Sequence, residues 1–354
     1  MSYITFQPSD YFKTLLYTGT GSSNAVTGVG FRPDFVWIKG RDFTDNHNLY
    51  DIVRGVEKRI VSNNNGVQED RPAGLTAFGS DGFTVNTANG ENKSSAPIVS
   101  WNWRAGNAQG SSNTDGTINT TYTSVNTTAG FSISTYTGNA TQGATVGHGL
   151  GAAPKMIIIK STTNAEAWVV GHQHTNATNP WDYYLHLHET AARGQNNNRF
   201  GNVTPTASVF TLGNEDQVNS SSKSYVAYCF AEKKGFSKFG SYIGNGNANG
   251  PFIYCGFKPA FFLLKRVNST ASWVIVDNQR SNPLSNPQDR LLFPNTTAAE
   301  DGSGETYFFD FLADGVKIRT TSGSYGNASG DTYIYMAFAE QPLVSSNDIP
   351  ATAR

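Results

Sequence analysis

The sequence predicts an all-β protein built as three tandem β-sandwich or jelly-roll-like domains of about 105 residues each. Three observations predict it: one set of motifs written three times in the same order, a composition suited to short strands and tight turns, and apolar residues alternating with period two. The 354 residues include 36 Gly, 22 Phe, 16 Tyr and 6 Trp among many Asn, Ser and Thr. Aromatic residues favour strands, and Gly and Asn favour turns.

Each copy opens on a strand ending in Tyr-x-Gly, at Tyr17-Thr-Gly19, Tyr136-Thr-Gly138 and Tyr242-Ile-Gly244, followed by a loop of small residues. An apolar strand introduced by Gly and Pro and closed by Lys comes next. It runs as Gly30-Phe-Arg-Pro33-Asp-Phe-Val-Trp-Ile-Lys39, then as Gly149 to Lys160 through Pro154, then as Gly256-Phe-Lys-Pro259-Ala-Phe-Phe-Leu-Leu-Lys265. The three lysines are 121 and 105 residues apart. A second strand follows at Leu49-Tyr-Asp-Ile-Val, Trp168-Val-Val and Trp273-Val-Ile-Val, and a shorter third at Ile60, Leu185 and Leu291. The hairpin Phe78-x-x-Asp81-Gly-Phe-Thr-Val recurs at Phe311 to Ile318, while the middle copy has Val209-Phe-Thr-Leu without Asp-Gly. Asp81-Gly82 and Asp314-Gly315 read as hairpin turns with positive φ. Each copy closes on an alternating aromatic strand, at Ile98–Trp103, Tyr225–Glu232 and Tyr333–Glu340. Alternation of Ile334, Met336 and Phe338 with Tyr333, Tyr335 and Ala337 puts one set inward and the other outward.

Units of roughly 100 residues can bury a core of their own, which repeats of 20 to 50 residues cannot. The expected division is an N-terminal arm 1–10, repeat 1 at 11–105, a flexible linker or arm 106–129, repeat 2 at 130–233, repeat 3 at 234–342 and a C-terminal tail 343–354. The segment 106–129 is polar and small-residued, too poor in apolar side chains to fold alone.

Charge narrows the function classes. There are 26 basic and 27 acidic residues, and 15% of the chain is charged against about 25% in ordinary proteins. The longest basic run is Lys233-Lys234, so no basic stripe suits nucleic acid. Cys229 and Cys255 cannot build a disulfide framework and read as buried thiols. The start of the chain lacks the pattern of a signal peptide, and no apolar run approaches the roughly 18 residues of a membrane span. A soluble protein made in a cytoplasm is expected.

Several long motifs resemble repeat-containing structural proteins of tailed bacteriophages, the family often labelled tail-fibre or virion proteins. They are Phe6-Gln-Pro-x-Asp-Tyr-Phe-Lys13, Gly28-Val-Gly-Phe-Arg-Pro-Asp-Phe-Val-Trp-Ile-Lys39, Thr145 to Lys160, Tyr225-Val-Ala-Tyr-Cys-Phe-Ala-Glu232 and Lys238-Phe-Gly-Ser-Tyr-x-Gly-Asn-Gly246. The resemblance covers nearly the whole chain. It implies an assembled component exposed on the virion surface or tail, a homo-oligomer with a trimer favoured, and no catalytic residues. Its partners would be other virion proteins and a host-surface glycan or protein, with no nucleic acid and no membrane insertion.

The candidate sites are few. His172-Gln-His174 and His186-Leu-His188 occur only in the middle copy, and residues i and i+2 of a strand present two imidazoles about 7 Å apart on one face, a spacing that suits a metal. Phage fibres with His-x-His motifs hold metal along a trimer axis, which the resemblance adds. Against this stands the plain reading of exposed strand or loop histidines, and no cofactor is expected. Trp181, with Tyr183 and Tyr184 in Asn179-Pro-Trp-Asp-Tyr-Tyr, lies outside the repeat pattern and is the aromatic cluster suited to a ligand. The acidic residues Asp42, Asp45, Asp51, Asp70, Asp81, Asp301, Glu305 and Asp310 are scattered, whereas a glycosidase needs two carboxylates about 5 to 9.5 Å apart. The expected function is a non-enzymatic tail-fibre or tail-spike-like adhesion component. The alternatives are a capsid decoration or head-fibre protein and a glycan-binding or glycan-degrading protein.

Overall fold

The computed structural model describes residues 6–281, 286–302, 309–339 and 341. The expected tail 343–354, the first five residues of the arm, and Glu305 lie outside them. Strands hold 40% of the chain and helices 6%, in several antiparallel sheets, so the protein is all-β.

The strands of each copy pair with one another. Copy 1 holds β1 (Phe12–Thr18), β2 (Asn24–Thr27), β3 (Phe35–Gly40), β4 (Asn48–Asp51), β5 (Lys58–Val61), β6 (Glu69–Asp70), β7 (Leu75–Gly79), β8 (Gly82–Val85) and β9 (Pro97–Trp103). They form a large sheet β1-β9-β3-β4-β5-β6 and a small one β2-β8-β7. Copy 2 holds β10 (Thr120–Asn126), β11 (Phe131–Thr137), β12 (Thr145–Gly147), β13 (Met156–Ser161), β14 (Val169–His172), β15 (Tyr183–His186), β16 (Gly194–Gln195), β17 (Val209–Thr211) and β18 (Ser224–Phe230). Its sheets are β10-β11-β18-β13-β14-β15-β16 and β12-β17. Copy 3 holds β19 (Ser237–Ile243), β20 (Phe252–Tyr254), β21 (Pro259–Arg266), β22 (Val274–Asp277), β23 (Phe309–Leu312), β24 (Gly315–Ile318) and β25 (Thr332–Ala339), in sheets β19-β25-β21-β22 and β20-β24-β23.

Each large sheet is buried on both faces along its central strands, which is why β3, β13 and β21 carry continuous apolar runs before their lysines. One face packs on the small sheet of its own copy: Val36, Ile38 and Ile98 meet Val26, Phe83 and Val85 in copy 1. The other face packs on the large sheets of both other copies. Phe12, Trp37, Trp101 and Trp103, then Ile158, Trp168, Tyr228 and Phe230, then Phe261, Trp273, Met336 and Phe338 belong to one continuous central core. The expectation that one set of β25 side chains faces outward is therefore corrected. Ile334, Met336 and Phe338 enter the central core, and Tyr333, Tyr335 and Ala337 enter the core of copy 3.

Residues 106–129 contain an added strand. β10 pairs with β11 from Thr120↔Tyr136 to Asn126↔Phe131, and Ile118 bridges to Val146 of β12. The polar side chains that argued against independent folding do not oppose strand addition, because backbone groups supply the hydrogen bonds.

β1 and β3 run from the end of the molecule marked by Trp103 to the end marked by Ile98 and Pro97. At the first end Phe6 packs on Tyr11 and Phe236, with ring centroids 5.2 and 5.6 Å away, and the Ala339 amide donates to Phe236 O at 2.8 Å. At the other end lie the loops after each Tyr-x-Gly. Those loops, Thr20–Asn24, Asn139–Gly143 and Asn245–Gly250, contain no charged residue.

Candidate functional site

The three lysines that close the Gly-Pro strands occupy equivalent positions, and each reaches a neighbouring copy. Lys39 Nζ donates to Asp45 O (2.9 Å) and to Thr297 O of copy 3 (3.1 Å). Lys160 Nζ donates to Ser161 O (2.8 Å) and to Asn65 O of copy 1 (3.3 Å). Lys265 Nζ donates to Ala271 O (2.6 Å) and to Thr190 O of copy 2 (2.9 Å). All three side chains are buried, and burial pushes each amine from 10.5 down to about 8. Carbonyl oxygens satisfy an ammonium without a carboxylate partner. Backbone bonds repeat the cycle, with Gln68 N to Thr162 O, Arg193 N to Val267 O and Glu300 N to Arg41 O. Contacts 1 to 2, 2 to 3 and 3 to 1 close a ring.

A second cycle sits at the equivalent positions Asp51, His172 and Asp277, set by their pairing with Phe35, Met156 and Phe261. Asp51 Oδ2 accepts the Tyr228 hydroxyl of copy 2 (2.7 Å) and Asp277 Oδ2 accepts the Trp101 indole N–H of copy 1 (2.9 Å). Arg54 and Arg280, each three residues on, bind the same carboxylates at 2.5 and 2.6 Å. In copy 2 the acceptor is replaced by His172. Its Nδ1 accepts the His174 amide (3.1 Å), so the ring proton lies on Nε2, which faces Tyr335 O at 3.3 Å. Burial holds the His172 pKa down to about 3.

The Tyr-x-Gly motif has one explanation in all three copies. The hydroxyls of Tyr17, Tyr136 and Tyr242 donate to Glu91 O (2.6 Å), Val218 O (2.7 Å) and Gly326 O (2.8 Å). A Cβ on Gly19, Gly138 or Gly244 would lie 2.1, 2.4 or 2.2 Å from a backbone carbonyl oxygen. The next amide, of Thr20, Asn139 or Asn245, donates at 2.8 Å to Oδ1 of a buried asparagine, Asn92, Asn219 or Asn327. Those asparagines were missed from sequence, although each stands in Asn-x-Ser six residues before Ile98, Tyr225 or Tyr333. At the Asp-Gly hairpins, Gly82 has φ +151°, as a turn glycine should, and Asp81 accepts the amides of Gly28 (3.0 Å) and Gly30 (2.6 Å). The positive φ expected at Gly315 is corrected, since of the two only Gly82 has it; both glycines are required by close approach, a Cβ lying 2.0 Å from Val26 O or 2.1 Å from Ile253 O.

The histidine pairs are not brought together. Val169 pairs with His186, so His172 and His186 point to opposite ends of the β14–β15 hairpin, and no three His, Cys, Asp or Glu side chains among the described residues could hold a metal. Glu189 bridges the second pair, 2.9 Å from His186 Nδ1 and 3.1 Å from His188 Nε2. Burial lowers the His188 pKa to about 4, with Glu189 opposing it. An open groove of about 560 Å³ lies here between copies 2 and 3, lined by His188, Glu189, Thr190, Ala191, Thr270, Asn295 and Thr296.

Trp181 is corrected from ligand contact to core. It is buried beneath copy 2, edge-on to Phe200 at 5.5 Å, because its 3₁₀ turn, Pro180–Asp182, folds the indole under β14. Tyr183 and Tyr184 are half-buried, each with a guanidinium over the ring, Arg193 at 5.1 Å and Arg199 at 3.6 Å. All the remaining tryptophans are buried too. Among the acidic residues, Asp51 and Asp81 serve the contacts above, Asp70 pairs with Lys58 and Asp310 with Arg319. Cys229 and Cys255 are buried free thiols, as expected, and burial pushes Cys255 up to about 12.

These features define an all-β protein of three copies closed into a ring, whose buried polar groups hold copy to copy. The chain belongs to the family described as a domain of unknown function, DUF7483, whose model matches residues 7–342. Neither a curated protein nor a solved structure matches it.

Proposed function

We propose that this protein is a structural component of a tailed bacteriophage particle, three β-sandwich-like repeats joined as one body, that contacts the host surface as part of a tail fibre or spike. The motif resemblance brings the virion into the reading. The observation that carries the adhesive role is the polarity of the ring: Phe6 and Ala339 meet at Phe236 on one end, while three uncharged Asn-, Ser-, Thr- and Gly-rich loops occupy the other. The first end suits attachment to other virion proteins. The second offers amide and hydroxyl groups to a neutral surface such as a glycan, and many copies on one particle would reach avidity without tight single sites. Exposed on the assembled particle, the protein would act without a cofactor and without chemistry.

Pre-incubation of host cells with purified full-length protein is the test. The reading expects adsorption of the parent phage to fall in a saturable way, and unchanged adsorption at saturation contradicts it. Gold-labelled antibody on intact particles should mark the tail tip; label spread over the capsid would favour the decoration protein.

A further inference from the structure

The three seams of the ring are not closed alike. The lysine-bound carbonyls make Asn65, Thr190 and Thr297 equivalent, and the amides of Gln68, Arg193 and Glu300, three residues on, are equivalent too. At two seams a side chain crosses from one of these positions. Asn65 Nδ2 donates to Ala165 O (3.3 Å) between copies 1 and 2, and Glu300 takes the Arg41 guanidinium at 2.7 and 3.0 Å between copies 3 and 1. Between copies 2 and 3 the first position holds the shorter Thr190, and at the second Arg193 turns back to Thr175 O (2.6 Å) and the Tyr183 ring of its own copy. The open groove of about 560 Å³ lies at this seam. It faces the end of the molecule that carries the three uncharged loops, because Thr270 follows β21 at the end where Arg266 pairs with Tyr333 and Ile243 with Thr332.

We propose that this groove is a saccharide-binding site, resting on the host-contact reading above, in which Glu189 accepts two hydroxyls of one sugar ring and Thr190, Thr270 and Thr296 complete the contacts. Glu189 stands where the other copies have Asn64 and Thr296, so the carboxylate belongs to this seam alone. Its Oε2 lies 2.9 Å from His186 Nδ1 and its Oε1 3.1 Å from His188 Nε2, while 42% of the side chain stays exposed. Two imidazoles therefore fix the carboxylate, and each oxygen keeps a second lone pair for a ligand. The spacing of the two oxygens suits paired donors, such as neighbouring hydroxyls of a sugar, as it suits the fork of an arginine. The rest of the lining selects the ligand class. Among the described lining residues Ala191 is the one apolar side chain, which disfavours an apolar ligand, and a carboxylate without a lysine or arginine beside it disfavours an anion. Hydroxyls and an amide, from the threonines and Asn295, offer donors and acceptors side by side, as a polyhydroxylated ligand needs. Hydrolysis of a glycoside takes two carboxylates, and Glu189 is the one described in this lining, so the groove binds and does not cleave.

The test is binding of labelled full-length protein to host cells, before and after mild periodate oxidation, which cleaves vicinal diols and leaves peptide bonds intact. Saturable binding of the parent is expected, and its loss after oxidation. Glu189→Gln should weaken it about tenfold and Thr270→Val about threefold. Thr270 is exposed, so the unfolding midpoint of that variant should match the parent and exclude misfolding as the cause. Both variants binding as the parent does would overturn the groove as the site and leave the host-contact reading standing. Binding that survives oxidation would overturn the saccharide as the ligand. A parent that does not bind host cells at all would overturn the host-contact reading, and this inference with it.

Discussion

At the scale of single residues, the motifs that recur are those whose atoms have nowhere else to go. Gly138 sits where a Cβ would meet Ser220 O at 2.4 Å, so Gly138→Ala should cost about 1 to 3 kcal/mol by overpacking; a denaturant midpoint unchanged from the parent would refute the account of Tyr-x-Gly. The buried lysines make a pH prediction. Their native pKa of about 8 lies below 10.5, so between these values the unfolded chain binds more protons and stability rises with pH. The buried thiols of Cys229 and Cys255, from about pH 9, and tyrosines such as Tyr17 and Tyr136, near and above pH 10, are pushed up by burial and act oppositely, leaving the three lysines to set the slope just above pH 8. On the acid side His148 and His188 (about 4) and His172 (about 3) stay neutral in the fold, so stability falls as pH drops below about 6.5. Asp34, raised to about 6 by burial, opposes that loss. Denaturation midpoints should climb just above pH 8, and Lys265→Met should flatten the climb. The glycines and lysines were legible because they repeat. Their partners were not, since Lys39 and Thr297 are 258 positions apart and nothing local marks a carbonyl as an acceptor.

At the scale of elements, repeated strands were readable from period-two alternation and turn residues, and β3, β13 and β21 lie where the Gly-Pro-Lys pattern placed them. Burial on the second face was not readable, because a strand covered by its own small sheet and a strand covered on both sides carry similar apolar runs. The arm before β11 shows the opposite limit. Composition assigned it to a linker, yet strand addition depends on backbone groups that every sequence possesses. Ile118 is nearly buried against copy 2, so Ile118→Ala should cost about 2 kcal/mol. A linker would tolerate it without change, and denaturation with proteolysis of the 106–126 segment distinguishes the two.

At the scale of the whole molecule, the residues that stood out as ligand candidates share one feature. Trp181 and the histidine pairs stood out because they break the repeat, but departures from a repeat also arise where one copy must fit a different neighbour. His172 stands where the other copies have Asp51 and Asp277, and its neighbour offers Met336 where theirs offer Trp101 and Tyr228. Ring closure binds each copy to two others through a common core, so the three should unfold together although each carries a core of its own. Differential scanning calorimetry of the full chain tests this most directly. A single transition is predicted, with calorimetric and van't Hoff enthalpies equal and near roughly 250 kcal/mol; three resolved transitions, each with about a third of that enthalpy, would contradict it.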